Sequence, residues 1–216
     1  MEKLIKKIKI QTTITLQTGL HIGGSSENVE IGGVDTPVIK LATRGNQPYI
    51  PGSSLKGKMR CLLEQAAGAT KVGKNKEVNN LFGITENKKD NIENRPSKLI
   101  VRDAMLTADS AKELLASELD MPYTENKFEN VIDRVHGKAE HPRQIERVPA
   151  GAVFNAEFVI NVWDDDKEDE LIILFEKGIN ILENDYLGGN GSRGYGQIVF
   201  GELKKTEMSE TNNWKA

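Results

Sequence analysis

"AVFNAEFVINVW" (residues 152–163) and "DELIILFEKGINIL" (residues 169–182) are neighbouring stretches in which the spacing of apolar residues changes. In the first stretch every second residue is apolar, namely Phe154, Ala156, Phe158, Ile160 and Val162. In the second stretch five apolar residues recur at helical spacing, namely Leu171, Ile172, Phe175, Ile179 and Leu182. Period two is typical of a half-buried strand and the longer period of an amphipathic helix. The sequence therefore predicts a strand at 153–163 and a helix at 168–183.

The flanking sequence repeats these two patterns. Residues 4–17, 97–106 and 196–203 have strand patterns, and residues 51–68 have a helical one. The resulting order is β-α-β-β-α-β, which predicts an α+β, ferredoxin-like (RRM-like) core with two helices on one face of a sheet. We expect a single domain at 1–204, with a Gly-rich insertion at about 19–51 and a polar one at about 121–150. A polar tail is expected at 205–216.

Several local signals accompany these elements. Ser53 or Ser54 is a natural N-cap for the first helix, and Gly68 suits its end. "PVIKL" and "QPYI" are expected to pair as a short hairpin. Ser110 and Glu113 have capping-box spacing, which predicts a short helix at 109–119. Cys61 is expected on the core side of the first helix, as a structural thiol.

The composition is that of a globular chain. Of 216 residues, 38% are hydrophobic and 28% charged, and no apolar run reaches the length of a membrane span. The single cysteine cannot form an internal disulfide, so a cytoplasmic location is the default expectation. The formal net charge is −3, but residues 51–74 and 134–147 form basic clusters. These clusters favour a polyanionic partner; the alternative is ordinary solvated surface.

A glycine-rich stretch, "LGGNGSRGYGQIVF" (187–200), follows the second main helix. It contains the glycine spacing of a dinucleotide-binding motif. That motif has to open a helix, whereas this stretch opens a strand, so a nucleotide-cofactor site is rejected. It also differs from the RNA-recognition signature, because Gln197 stands where an aromatic residue would stack on a base. Closely approaching backbone amides and the charge of Arg193 still suit a sugar-phosphate chain. The alternative is a flexible connection between helix and strand.

Two further stretches have properties of a site. "PYIPGSSLKGKMR" (48–60) combines hydroxyls, amides at a helix start and Lys56, which suits an anion or simply a capped amphipathic helix. "GGVDTP" (32–37) presents Asp35 between glycines and a proline, and on these residues alone a turn is the favoured interpretation. The three histidines do not have the spacing of a zinc site.

Seven motifs in order carry a resemblance to a known family. They are "TGLHIGG", "IGGVDTPVIK", "PYIPGSSLKGKMRCLLE", "NNLFG", "RDA", "ERVPAGAVF" and "GGNGSRGYG". Together they resemble the backbone subunit of type III-A CRISPR effector complexes, in the RAMP superfamily, over about Thr12 to Phe200. The resemblance implies copies stacked in a filament on a guide RNA, together with other subunits of the complex and no membrane. It also implies that residues 121–150 form a thumb-like hairpin that displaces one nucleotide.

The resemblance further implies that target RNA paired with the guide is cut once per subunit, with Mg²⁺ or another divalent metal. The aspartate required for cutting corresponds to Asp35, which would hold the metal or act on the 2′-OH. His21, Asp103 and Glu140 are weaker candidates for a helper role. The residues expected to contact RNA are His21, Ser53, Ser54, Lys56, Arg60, Arg134, Gly189, Gly191, Ser192 and Arg193. A scaffold that binds guide RNA without cutting it, and an enzyme for a small phosphorylated metabolite, remain the alternatives.

Overall fold

The computed structural model describes residues 3–24, 36–85, 95–210 and 214–215, without the side chains of residues 140 and 141. Asp35 therefore lies outside the described residues. The strands within these ranges are β1 (Leu4–Leu16), β2 (Lys40–Leu41), β3 (Gln47–Ile50), β4 (Leu99–Val101), β5 (Ala104–Leu106), β6 (Glu125–Ile132), β7 (Ala139–Arg147), β8 (Val153–Trp163), β9 (Ile198–Phe200) and β10 (Lys204–Ser209). The helices are α1 (Gly52–Ala66), α2 (Lys76–Phe82), α3 (Ala108–Ala116) and α4 (Glu168–Glu183).

The antiparallel pair of β1 and β8 forms the centre of the main sheet. Ile10 pairs with Phe158 in a register that continues along both strands. The sheet order is β10-β1-β8-β5-β3-β2, with β9 also pairing with β1 and β4 with β8. Because alternate residues share a face, the apolar side chains predicted for strand 153–163 all lie in the core. The chain thus combines an antiparallel sheet with helices, as expected for an α+β fold.

Helices α1 and α4 pack against each other, and they also contact the sheet, α1 at β4 and α4 at β9. Phe175 of α4 meets Phe158 of β8 edge to face, with ring centroids 5.0 Å apart. A Cβ atom at Gly178 would lie 3.1 Å from Met59 Cε and 3.2 Å from Leu63 Cδ1. The absence of a side chain at Gly178 therefore lets the two helices approach closely, and a larger residue would push them apart.

The start of α1 differs from the prediction. Pro51 is the N-cap, and Ser53 and Ser54 lie inside the first turn. The amide of Gly52 donates to Asp103 Oδ1 at 2.7 Å, so a carboxylate from the turn between β4 and β5 satisfies it. The prediction of Ser53 or Ser54 as the N-cap is therefore wrong. The sequence around the helix start did not reveal the actual partner, because Asp103 lies in a distant part of the chain. Gly68, with φ of +65°, follows the helix end as predicted.

Two other local predictions are wrong. Helix α3 is capped by Thr107, whose hydroxyl accepts from the Ser110 amide at 3.2 Å. The Ser110 hydroxyl instead accepts from the Val153 amide at 3.0 Å and so joins α3 to β8. Cys61 is exposed, because the buried side of α1 is formed by Leu55, Met59 and their neighbours.

The predicted insertion at 121–150 forms an antiparallel hairpin, β6–β7. Its base is buried: Thr124, Ile145 and Val148 are at most 5% exposed. Its outer part is exposed and includes Phe128 and Val135. Several residues at the base therefore belong to the core, which the polar composition of this stretch had not indicated.

The C-terminal part of the sheet also differs from expectation. The strand predicted at 196–203 is present but shorter, and it corresponds to β9. A further strand, β10, pairs with β1, for example through Lys205 and Ile10. Residues 205–209, expected in a polar tail, therefore form an edge strand, in which Lys205 and Glu207 are exposed. The "PVIKL" and "QPYI" stretches do pair, through β2 and β3. Among the described helices, none has the length and apolarity needed to cross a membrane.

Candidate nucleic-acid interface

The glycine-rich loop at 188–196 joins α4 to β9 and is held against the segment that follows β1. The Gly189 amide donates to the His21 carbonyl at 2.8 Å, and the Gly196 amide donates to the Gly19 carbonyl at 3.0 Å. At Gly188, where φ is +77°, a Cβ atom would lie 2.3 Å from that same His21 oxygen. Close approach of two backbones thus requires glycine at position 188. Hydrogen bonds position the loop, so it is not simply a flexible connection between helix and strand.

A short 3-10 turn, Gly191–Arg193, forms the outer part of this loop. The ring of Tyr186 covers Gly191 so closely that a Cβ atom there would lie 1.9 Å from Tyr186 Cγ. Lys58 Nζ of α1 lies 3.6 Å from the centroid of the same ring and 3.3 Å from Asp185 Oδ1. These contacts join α1 to the base of the loop and present Ser192 and Arg193 at its outer side.

The β6–β7 hairpin faces the other side of the loop. Arg193 Nη1 donates to Glu129 Oε2 of β6 at 3.0 Å. The buried ring of Tyr195 lies between the two elements, with Lys127 Nζ 4.3 Å and Arg147 Cζ 5.1 Å from its centroid. Burial, together with the neighbouring Glu129 carboxylate, raises the pKa of Tyr195 to about 12. The Tyr195 hydroxyl is therefore protonated at neutral pH.

Three arginines meet in the groove between hairpin and loop. The groove has a volume of about 680 Å³, and its lining includes Arg134, Arg143 and Arg193. It also contains Glu129, Val131 and Ile132. The structure thus brings together two of the residues predicted to contact RNA, Arg134 and Arg193, although they are 59 positions apart by their numbers. Arg143 was part of the basic cluster but had not been singled out.

Other predicted RNA contacts are engaged within the fold. Lys56 Nζ donates to Ser97 Oγ at 2.7 Å and to the Leu99 carbonyl at 2.8 Å. Burial, with a smaller contribution from the charge of Arg60, lowers the pKa of Lys56. The Arg60 guanidinium donates to Glu64 and Asn79 at 3.0 and 3.1 Å. Both cations therefore stabilise the packing of α1.

The remaining α1 candidates, Ser53 and Ser54, differ in exposure. Ser53 is exposed and Ser54 half-buried. The amide at the helix start is already bound by Asp103, so this anion site is partly filled by the protein itself. Asp103, a weaker helper candidate, thus has a described role as the cap of α1.

A buried carboxylate that the sequence had not indicated lies at the base of the hairpin. Glu146 is 2% exposed and accepts from the Val38 amide at 2.8 Å and the Thr124 hydroxyl at 2.6 Å. It also forms an ion pair with Lys40. A single carboxylate therefore joins β7, the start of β6 and the segment that leads into β2. Its motif, "ERVPAG", was visible in the sequence, but its burial was not.

His21 and the residues that follow Asp35 meet at this same place. His21 Nδ1 lies 2.7 Å from the Glu146 carbonyl oxygen, and Thr36 pairs with Ile145. Asp35 itself and the side chain of Glu140 lie outside the described residues. The described residues contain no group of three or more His, Cys, Asp or Glu side chains able to hold a metal ion.

A family model supports the resemblance found in the sequence. The model described as "RAMP superfamily" matches residues 13–199. The chain belongs to the RAMP superfamily. The predicted family membership is therefore confirmed over most of the chain, including the groove, the glycine-rich loop and the hairpin.

This RAMP chain has close curated relatives. It is 43% identical over 212 residues to the "CRISPR system Cms endoribonuclease Csm3" of Streptococcus thermophilus, which covers 94% of this chain and 90% of the relative. It is also 43% identical over 218 residues to the protein of the same name from Methanocaldococcus jannaschii, with 94% of this chain and 83% of the relative covered. Both relatives are named Csm3, which confirms the family resemblance predicted from the seven motifs.

Two solved structures share the fold of this RAMP chain. One is the Csm3-Csm4 subcomplex of a type III-A CRISPR-Cas interference complex, with a TM-score of 0.62 and 32% identity. That match covers 97% of this chain and 83% of the other. The other is the type III-B Cmr-beta complex bound to cognate target RNA, with a TM-score of 0.64 and 18% identity, which shows a common fold alone.

Proposed function

We propose that this chain is a guide-RNA-binding filament subunit of a type III-A CRISPR complex and that it cleaves complementary target RNA. The observation that carries the proposal is the 43% identity, over 94% of the chain, to a relative named as an endoribonuclease. The groove with three arginines supports it, because guanidinium groups bind phosphates with directed hydrogen bonds.

We infer a ferredoxin-like core with two functional insertions. The neighbouring order β9-β1-β8-β4, all antiparallel, and the packing of α1 with α4 support this assignment. In this proposal the single domain expected at 1–204 extends through β10 to residue 209. The glycine-rich insertion is at about 19–51 and the β6–β7 hairpin is the thumb. The thumb would separate one nucleotide of the target from its neighbours.

RNA binding is proposed to depend on the sugar-phosphate backbone rather than on base identity. Arg134, Arg143 and Arg193 would contact phosphates, and the amides of the glycine-rich loop would approach the same chain. Such contacts position a nucleic acid without selecting its sequence, which suits a subunit that has to accept any guide. Target recognition is then left to base pairing between guide and target.

Cleavage is assigned to Asp35. In the proposed reaction the 2′-oxygen of the displaced nucleotide attacks the adjacent phosphorus, and the bond from phosphorus to the 5′-oxygen breaks. Asp35 would hold a divalent metal ion or orient the attacking 2′-OH. His21, whose imidazole contacts the Glu146 carbonyl oxygen, is proposed as a helper. A bound Mg²⁺ would supply stabilisation of negative charge, and Mg²⁺ often keeps waters and uses few protein carboxylates.

The proposed partners are guide RNA, complementary target RNA, further copies of this chain and other subunits of the complex. The single cysteine is consistent with the proposed cytoplasmic location. A scaffold that binds guide RNA without cutting is the second candidate; the acid in "GGVDTP" favours the cutting subunit.

The test uses the assembled complex with a defined guide. Matched and unmatched RNA are incubated with it, with and without EDTA, and the products are resolved by gel electrophoresis. The proposal predicts regularly spaced cuts only in matched RNA and their loss in EDTA. Binding of matched RNA without cutting would favour the scaffold.

A further inference from the structure

The Glu129–Arg193 pair connects the two elements that form the arginine groove. Glu129 lies on β6 of the hairpin, and Arg193 lies in the glycine-rich loop, 64 positions later. The carboxylate is 13% exposed and the guanidinium 51% exposed. The pair therefore closes one side of the groove, with its cation facing solvent and its anion facing the protein.

Glu129 has two positively charged neighbours, Lys127 and Arg193. Lys127 Nζ lies 3.4 Å from Glu129 Oε1, while Arg193 uses Oε2. Burial would raise the pKa of the Glu129 carboxyl, but Tyr195, Arg193 and Lys127 favour the charged form, and its pKa lies below the usual value. The carboxylate is therefore ionised at neutral pH, and Lys127 would still compensate its charge after the loss of Arg193.

Among the residues that the structure describes, the carboxylate partner of Arg193 across the groove is one oxygen, Glu129 Oε2, at 3.0 Å from Nη1. A guanidinium has five N–H donors and prefers planar, bidentate contact with an oxyanion. A phosphate could offer two oxygens to Arg193 where Glu129 offers one. The local charges thus favour exchange of the Glu129 carboxylate for a phosphate as the partner of Arg193. The carboxylate would lose little stabilisation, because Lys127 would still compensate its charge.

We propose that Glu129 is an internal competitor for RNA, which holds the place of a backbone phosphate on Arg193 until RNA binds. Arrival of a phosphate in the groove transfers Arg193 from Glu129 to the RNA and breaks this one contact between the hairpin and the glycine-rich loop. This inference rests on the proposed RNA-binding function, and it names the contact that limits affinity. The exchange also gives the hairpin one set of contacts without RNA and another with it.

The test measures RNA affinity of the full chain and of single and double variants. The probe is a fluorescent, unstructured 30-nucleotide RNA, followed by anisotropy across a series of salt concentrations. We expect Glu129→Gln to bind about twofold to fivefold more tightly than wild type at low salt, as removal of a competing, partly exposed ion pair would give. Arg193→Ala should bind more weakly, and adding Glu129→Gln to it should then change nothing.

Glu125→Gln is the matched control. It removes one negative charge from the same strand, but Glu125 pairs with Arg147 at 2.7 Å rather than with Arg193. An equal gain from Glu125→Gln would show a general charge effect and overturn the proposal. So would weaker binding by Glu129→Gln, which would make Glu129 a support for Arg193.

A further readout separates this inference from the function on which it rests. Hydrogen exchange of residues 125–132 should be faster in Glu129→Gln than in wild type without RNA, because the uncharged amide binds Arg193 of the loop more weakly than the carboxylate does, while circular dichroism is unchanged. Wild-type binding that does not weaken with salt would overturn RNA-backbone binding and this inference together. Salt-dependent wild-type binding with no gain in Glu129→Gln would overturn this inference alone.

Discussion

The His21 imidazole lies with Nδ1 2.7 Å from the backbone carbonyl oxygen of Glu146, a residue 125 positions later. A carbonyl oxygen only accepts, so Nδ1 carries the hydrogen in this contact. In the neutral ring Nε2 is then left as an acceptor. The same Glu146 binds the Val38 amide through its side chain, so one residue orients His21 and anchors the segment after Asp35.

Loss of the Glu146 side chain should destabilise the fold. Glu146→Ala leaves the Thr124 hydroxyl, the Val38 amide and Lys40 without their carboxylate partner in a buried position. We expect a loss of about 3 kcal/mol in the free energy of unfolding, measured by urea denaturation. Glu170→Ala, which removes an exposed pair with Lys167, should change the free energy of unfolding much less. Equal effects would show that Glu146 is not an anchor.

Arg143 should contribute to RNA binding. Its replacement by alanine removes one cation from the groove, so affinity at low salt should fall and the salt dependence should become shallower by about 0.7 in log–log slope. Lys167→Ala is the control, because this exposed lysine lies at the far end of α4 from the glycine-rich loop. If both variants bind like wild type, the groove is not the RNA site.

Lys56→Ala should act mainly on stability, because Lys56 contacts Ser97 and Leu99 within the fold.

The outer part of the hairpin should be less stable than its base. Residues 131–138 are largely exposed, whereas Thr124, Ile145 and Val148 are buried. In the RNA-free chain we expect hydrogen exchange at 131–138 to be much faster than in β8, and exchange at 145–148 to resemble β8. Uniform protection across the hairpin would contradict this expectation.

Tyr195 should make stability sensitive to alkaline pH. Its pKa is raised to about 12, above the usual 10.0, so the folded state keeps a proton that the unfolded state loses first. The stability linked to this group is fully present below pH 10 and is lost as pH rises towards 12. Urea unfolding at pH 9 and pH 11 should show a larger loss for wild type than for Tyr195→Phe. An equal loss in both proteins would contradict the assignment.

The elements with long, regular patterns could be predicted from the sequence. The alternation around Phe158 and the helical spacing around Phe175 correspond to β8 and α4, and their rings meet in the core. These predictions succeed because each pattern reports one buried face of one local element. The glycine-rich loop was also found, since its positive φ angles and close backbone contacts require glycine.

The site was less predictable where a residue depends on a distant partner. Asp103 caps α1 from a turn 51 positions away, which no local capping rule reveals. Lys56 and Arg60 look like free cations in the sequence, but Ser97, Glu64 and Asn79 bind them within the fold. Glu146 stands in a charged motif, and its burial follows from the way the hairpin base closes over it. Tertiary contacts decide each of these cases.

Asp35 is proposed to carry out target cleavage. The most direct measurement compares single-turnover cutting rates of complexes that contain wild-type chain, Asp35→Ala or Asp35→Asn. Asp165→Ala is the matched control, because it removes an exposed carboxylate elsewhere. All complexes need equal subunit composition and equal target affinity. Since loss of charge stabilisation is worth several kcal/mol and each ~1.4 kcal/mol changes the rate tenfold, we expect both Asp35 variants to cut about 1,000-fold more slowly or not at all. Cutting by the Asp35→Ala complex at the wild-type rate would contradict the account and leave Asp35 as a turn residue.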